Sequence, residues 1–134
     1  MDGRKLKIVL PLPPKELSPN ARPHFRAKAK ATKQYRDEAH AHALVASFKL
    51  QSSETELYNT LPWRAATVQC RFYFAQNRRR DADNLLASMK SAFDGLRDSG
   101  VLVDDDRLTH MPVEWTKDKN DPRVELEIWE TKAR

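Results

Sequence analysis

Three stretches of this chain alternate apolar and polar residues with a period of two, and this pattern constrains the fold more than any other feature. In RKLKIVLPL, over 4–12, Leu6, Ile8 and Leu10 share a face. In AATVQCRFYFAQ, over 65–76, Val68, Cys70, Phe72 and Phe74 alternate with Gln69, Arg71 and Tyr73. In RVELEIWE, over 123–130, Val124, Leu126 and Ile128 line up. Successive side chains of an extended chain point to opposite faces, so each stretch reads as a strand with one apolar face. Pro11, Pro13 and Pro14 end the first strand and open a proline-rich, basic loop over 13–26. From 27 to 50 the chain is rich in alanine, with no Gly or Pro, and Tyr35, Ala39, His42, Ala43 and Ala46 fall on one helical face. A polar linker occupies 51–64. A second helix is predicted over 84–98, with Leu85, Met89, Ala92, Phe93 and Leu96 as its apolar face and Gly100 as a left-handed C-cap. After a short apolar run at 101–103, residues 107–117 offer another strand and 118–122 a turn. The order is β-α-β-α-β-β, an α/β class with a mixed β-sheet and helices packed on one side. At 134 residues the chain is expected to form a single domain over 1–134.

With one cysteine, Cys70, the chain has neither a disulfide framework nor a thiolate zinc site, which points to an intracellular protein. No apolar run approaches the length of a membrane span, and the proline-broken N-terminus lacks the pattern of a signal peptide, so a cytoplasmic location is expected. The formal net charge is +5. Basic residues crowd 22–36 and 78–80, and acidic ones crowd 104–106. The layout suits a partner with many negative charges, and it equally suits a solvated basic face beside an acidic turn.

The stretch RRRDADNLLASMK, from Arg78 to Lys90, carries the chemistry. If it is extended at Asp81 and Asp83, both carboxylates face one spot. Close carboxylates repel unless a cation joins them, and Mg²⁺ takes oxygen ligands of this kind. The plainer reading makes Asp83 a helix N-cap and pairs Asp81 with an arginine. Asp104, Asp105 and Asp106 can add a third carboxylate or form a polar turn. Lys90, two helical turns beyond Asp83, can reach a phosphate at the site or be an ordinary exposed lysine. The return from the second helix to Asp105 is close to taut, so a site completed by a partner subunit stays open. His24, His40, His42 and His110 form no zinc pattern, and no calcium-loop spacing occurs. A dehalogenase-type phosphatase would carry its DxD after the first strand, not in mid-chain.

RRRDADNL, KSAFDGL and SGVLVDDDRL, together with IVLPLPP, SPN, YRDEA and RVELEIWE, resemble the RusA-like family of Holliday junction resolvases. The resemblance runs through most of the chain and is most specific over 78–108. It implies a homodimeric crossover junction endodeoxyribonuclease that cuts four-way DNA junctions with Mg²⁺ or Mn²⁺ in recombination and repair. The setting it implies is the cytoplasm of a bacterial or phage-infected cell. Carried over by position, the catalytic residues are Asp81, Asp83, Asp105 and Lys90, with the three aspartates as metal ligands and Asp104 beside Asp105. One departure is LLASM, which sets Lys90 about three residues further on than in the best-known member, nearly one helical turn. Arg22, Arg26, Lys28, Lys30, Arg78, Arg79 and Arg80 are the expected phosphate contacts. Phe25 and Tyr35 are candidates for stacking on bases. The competing reading is a non-catalytic, branched-DNA-binding protein on the same fold.

Overall fold

The computed structural model describes residues 5–53, 61–104 and 107–131, with 50–53 as backbone only. The three alternating stretches form β1 (Lys5–Leu10), β2 (Ala66–Phe74) and β5 (Arg123–Glu130). β5 lies between β1 and β2 and runs antiparallel to both. Two short strands, β3 (Leu108–His110) and β4 (Glu114–Lys117), share the other edge of β2 and run parallel to it. The sheet is therefore mixed, as the sequence predicts.

The single strand expected over 107–117 is interrupted at Met111–Val113. Pro112 has no amide hydrogen to give to β2. The gap is closed by a side chain: Gln69 Nε2 donates to the Pro112 carbonyl at 2.7 Å. On the near side of the gap Met111 N donates to the Val68 carbonyl at 2.9 Å.

One sheet face is apolar and covered. Leu6, Ile8, Leu10, Val68, Cys70, Phe72, Val124, Leu126 and Ile128 are buried there with Tyr35, Ala39 and Ala43 of α1 (Phe25–Ser53). α3 (Lys90–Asp98) adds Ala92, Phe93 and Leu96. Ala39 and Ala43 are one turn apart, and their small side chains let α1 approach its neighbours closely. His42, grouped with that face by spacing, is instead exposed, 3.2 Å from Glu38. The opposite face carries cross-strand ion pairs: Lys5–Glu127 at 3.7 Å, Lys7–Glu125 at 3.6 Å and Arg71–Glu114 at 2.9 Å. Among the described residues, the helices thus cover one side of the sheet.

The predicted second helix is broken in two. α2 (Ala82–Ala87) ends at Ser88, and α3 starts at Lys90. The Ser88 hydroxyl donates to the Leu85 carbonyl at 2.6 Å, and Met89 N closes a tight turn to the Leu86 carbonyl at 3.0 Å. A serine hydroxyl competing for a helix carbonyl bends or ends helices in this way. Met89 still faces the core and is fully buried. Gly100 follows α3 with φ +86°, the left-handed conformation expected of it.

α1 and α3 cross closely. Arg36 grips Asp98 with two hydrogen bonds, Nε to Oδ2 at 2.6 Å and Nη2 to Oδ1 at 2.9 Å. Trp63 anchors the return from α3: its N–H donates to the Val101 carbonyl at 2.8 Å, and its carbonyl accepts from Val103 at 3.0 Å. Among the described residues, no helix is long and apolar enough to cross a membrane.

Candidate active site

The acidic stretch lies at the exposed end of β2, where the chain turns into α2. Asp81 is extended (φ −110°, ψ 117°) and caps α2. Its Oδ1 accepts from the backbone amides of Asp83 at 2.9 Å and Asn84 at 3.2 Å. This corrects the expectation that Asp83 would be the cap. It also corrects the picture of a wholly extended DxD, because Asp83 already belongs to the first turn of α2. The local reason is that four amides at a helix start lack partners, and the residue just before them supplies the acceptor. No hydrogen bond or ion pair engages the Asp83 carboxylate among the described residues, and Asp81 uses only one of its oxygens.

Asp83 and Lys90 line one open cleft of about 360 Å³, together with Leu86, Phe93, Leu108 and His110. The break at Ser88–Met89 does not carry Lys90 away from it. The Lys90 ammonium is 3.9 Å from Asp94, and its side chain is 79% exposed. His110, which joins no zinc pattern in the sequence, lines this cleft with its ring against Phe93, centroids 4.9 Å apart. Partial burial lowers its pKa and favours the neutral imidazole. Its one sequence signal was its place at the end of a short strand after the acidic turn, which does not distinguish it from a packing residue.

Asp105 lies outside the described residues, as does Asp106. Asp104 precedes them, and its carbonyl accepts weakly from Arg107 N at 3.4 Å. Leu108, three residues beyond Asp105 in the chain, lines the cleft. Among the described residues, no three of His, Cys, Asp and Glu gather as a metal-binding group. The donor set present still fits a hard divalent cation: an unpartnered Asp83 carboxylate and a free oxygen on Asp81. Mg²⁺ commonly binds through one or two carboxylates and keeps its waters.

No ion pair joins Arg78, Arg79 or Arg80 to Asp81 or Asp83 among the described residues. Arg78 and Arg79 are exposed. The Arg80 guanidinium lies over the Phe74 ring at 3.7 Å, and its Nε is buried without a hydrogen-bond partner. Burial and the neighbouring Arg78 charge lower its pKa, though a guanidinium stays protonated at neutral pH. Arg78 and Arg80 line a second cleft, about 430 Å³, with Lys15 and Asn84. Arg22 and Lys28 line a third with Lys90. Of the other basic candidates, Arg26 lies over the exposed ring of Phe25 at 5.8 Å, and Lys30 is exposed on α1. Neither lines these clefts. Tyr35 is buried with its hydroxyl bonded to the Pro11 carbonyl at 2.8 Å, so it packs and does not present a stacking face.

The Endodeoxyribonuclease RusA family profile matches residues 14–129. A protein of Xylella fastidiosa strain Temecula1, described only as uncharacterised, is 36% identical over 106 residues. The match takes in 79% of this chain but 64% of that protein, so the chain spans less than two thirds of the relative's length. The family match covers all three α-helices and the whole acidic stretch, and on it the chain belongs to the RusA endodeoxyribonuclease family.

Proposed function

We propose that this chain is a metal-dependent endodeoxyribonuclease that resolves four-way DNA junctions, acting as a homodimer. The observation that carries the reading is the shared cleft: an unpartnered Asp83 carboxylate and the exposed Lys90 ammonium line it together. Asp81, Asp83 and Asp105 would hold Mg²⁺ or Mn²⁺. Such an ion, when bound, supplies an activated water and charge stabilisation at the phosphate under attack.

The chain's own residues supply the rest. Asp81 fixes the start of α2 and with it the backbone that carries Asp83. Lys90 places a positive charge where a phosphate oxygen gathers negative charge, and a fixed charge of this kind favours the transition state over the ground state. The clefts lined by Arg22, Lys28, Arg78 and Arg80 attract backbone phosphates, so binding should weaken steeply with salt. A twofold dimer would match two active sites to the two strands of a junction that must be cut symmetrically.

Cleavage of a synthetic four-way junction, against linear duplex and with and without Mg²⁺, tests this reading. Paired metal-dependent nicks at the branch are expected, and Asp83→Asn should lower cleavage at least about a hundredfold while leaving binding intact. Tight junction binding with no cutting in Mg²⁺ or Mn²⁺ would support the non-catalytic reading instead. Full activity in Asp83→Asn would remove the carboxylate from the mechanism.

A further inference from the structure

The second cleft, of about 430 Å³, has an apolar floor that attraction of phosphate does not use. It is divided from the Asp83 cleft by α2: Asp83 and Leu86 line one, and Asn84 and Leu85 line the other. Pro13, Phe74 and Leu85 form the floor, and Lys15, Arg78 and Arg80 add three cations. Lys15 and Arg78 are exposed, and the other lining residues named here, Asn84 included, are half-buried, so each keeps surface within reach of a ligand. The volume would hold about fourteen waters at about 30 Å³ each, which is room for a base and its sugar. The Asn84 backbone amide is bonded to Asp81, but its side-chain amide makes no hydrogen bond among the described residues.

A phosphate pressed onto the apolar floor would give up its hydration without enough donors to replace it. A nucleobase has other needs: its π face wants a flat or apolar surface, and its edge wants donors and acceptors. The Arg80 guanidinium lies 3.7 Å over the Phe74 ring, so a planar, weakly hydrated cation is braced against an aromatic one at the wall of the cleft. Unstacked bases lie on arginine planes and on aromatic rings alike. The Asn84 amide offers an acceptor and two donors to a base edge. Lys15 and Arg78 supply charge for the phosphate of the same nucleotide.

We infer that this cleft takes one unstacked base of the cleaved strand, with Arg80 as its stacking surface and Asn84 at its edge. This rests on the function proposed above and adds how a branch is told from linear duplex. Asp83 and Asn84 are neighbours in the chain, with Cα atoms about 3.8 Å apart. Successive nucleotides of a stacked strand are about 3.4 Å apart. The base therefore belongs to a nucleotide within two of the phosphate that is cut. In intact duplex a base must leave its stack to enter, whereas a base at a branch is less constrained. The contact favours branched DNA beyond the charge attraction that both forms share.

The test uses four-way junctions with a single abasic residue at successive positions around the cut. Binding is measured without divalent cation for the full-length protein, for Arg80→Lys and for Asn84→Ala. Arg80→Lys keeps the charge and removes the planar stacking surface, so it separates a base contact from attraction of phosphate. For the wild type, one abasic position within two nucleotides of the cut should weaken binding about tenfold, the loss of one stacked base. In Arg80→Lys that same position should cost less than about threefold, while abasic residues elsewhere keep their full effect. In Asn84→Ala the abasic penalty should fall as well, and differences among the four bases at that position should shrink. If no abasic position near the cut costs the wild type more than about threefold, no base enters the cleft and the inference fails with the proposed function intact. If one does, but its effect multiplies unchanged with both variants, the base is held elsewhere and the inference also fails. A wild type that neither binds nor cuts branched DNA would remove both.

Discussion

Gly95→Ala tests how Lys90 is positioned. Gly95 lies on the side of α3 that meets α1, and a Cβ built there would be 2.3 Å from the Arg36 carbonyl oxygen and 3.0 Å from the Ala39 Cβ. Ordinary contact begins near 3.4 Å, so the helices would have to separate by about 1 Å at this crossing. The obstacle is backbone inside a helix, and no side-chain rotation relieves it. Overpacking a tight contact costs about 1–3 kcal/mol or more, and a backbone obstacle belongs at the upper end. Alanine returns about 1 kcal/mol of helix propensity. The net expectation is a loss of about 2 kcal/mol, or about 6–8 °C in Tm, read by thermal melting. Cleavage should fall as well, because α3 begins with Lys90 and is held to α1 by Arg36 and Asp98. Gly100→Ala is the control. Nothing lies within 4 Å of its Cβ position, but its φ of +86° is strained for alanine, at about 1–2 kcal/mol. A Gly95→Ala protein that melts at or above the wild-type temperature would refute the argument from close helix approach.

Other expectations follow from single groups. Ser91→Ala removes a buried hydroxyl with no partner, so the free protein should gain about 1 kcal/mol or more; an unchanged or lowered melting temperature would mean that the hydroxyl is satisfied in solution. Asp98 has its pKa lowered, chiefly by its hydrogen bond from Arg36. Its contribution is therefore present above the unfolded carboxylate pKa, near about 3.9, and is lost as pH falls through the lower folded value. The difference in melting temperature between wild type and Asp98→Asn should be full at pH 7 and shrink towards pH 2, and a difference independent of pH would refute the linkage. Burial pushes the Cys70 thiol up to about 12, so the native protein should react with thiol reagents only as fast as it unfolds; rapid labelling under native conditions would contradict this.

The strands were legible because the sheet has one wet face and one dry face, which writes a period of two into the sequence. The break at Ser88–Met89 was not legible. LLASMK keeps helical spacing throughout, and the feature that ends α2 is one hydroxyl turning back to the Leu85 carbonyl. The pause at Pro112 has a clearer signal in the sequence, but its repair by the Gln69 side chain depends on strand pairing that no local pattern reveals. At the site, the residue types were legible and their arrangement was not. His110 reaches the cleft that Asp83 lines through the placement of β3 beside β2, a pairing of segments distant in the chain. Arg22 and Lys28 read as two of many basic residues, and what separates them from Arg26 and Lys30 is the cavity that they line with Lys90.

Cap and metal ligand were competing readings of this acidic stretch, and the geometry of Asp81 makes them compatible. A carboxylate has about four lone-pair sites on two oxygens. In Asp81, Oδ1 accepts from two amides of α2 while Oδ2 takes no bond among the described residues. The capped oxygen fixes the side chain, so the other oxygen is held in one direction without further support. Asp83 is placed by the same cap, because its own amide is one of the two donors. One local hydrogen-bond arrangement thus orients the Asp81 carboxylate and fixes the backbone that carries Asp83. It also separates their roles under mutation. In Asp81→Asn the amide oxygen can still cap, so the start of α2 survives while a negative charge is lost. In Asp83→Asn the cap is untouched and only the carboxylate that shares a cleft with Lys90 changes. The two substitutions therefore probe charge with the fold held constant, whereas Asp81→Ala removes charge and cap together and would confuse a ligand with a helix start.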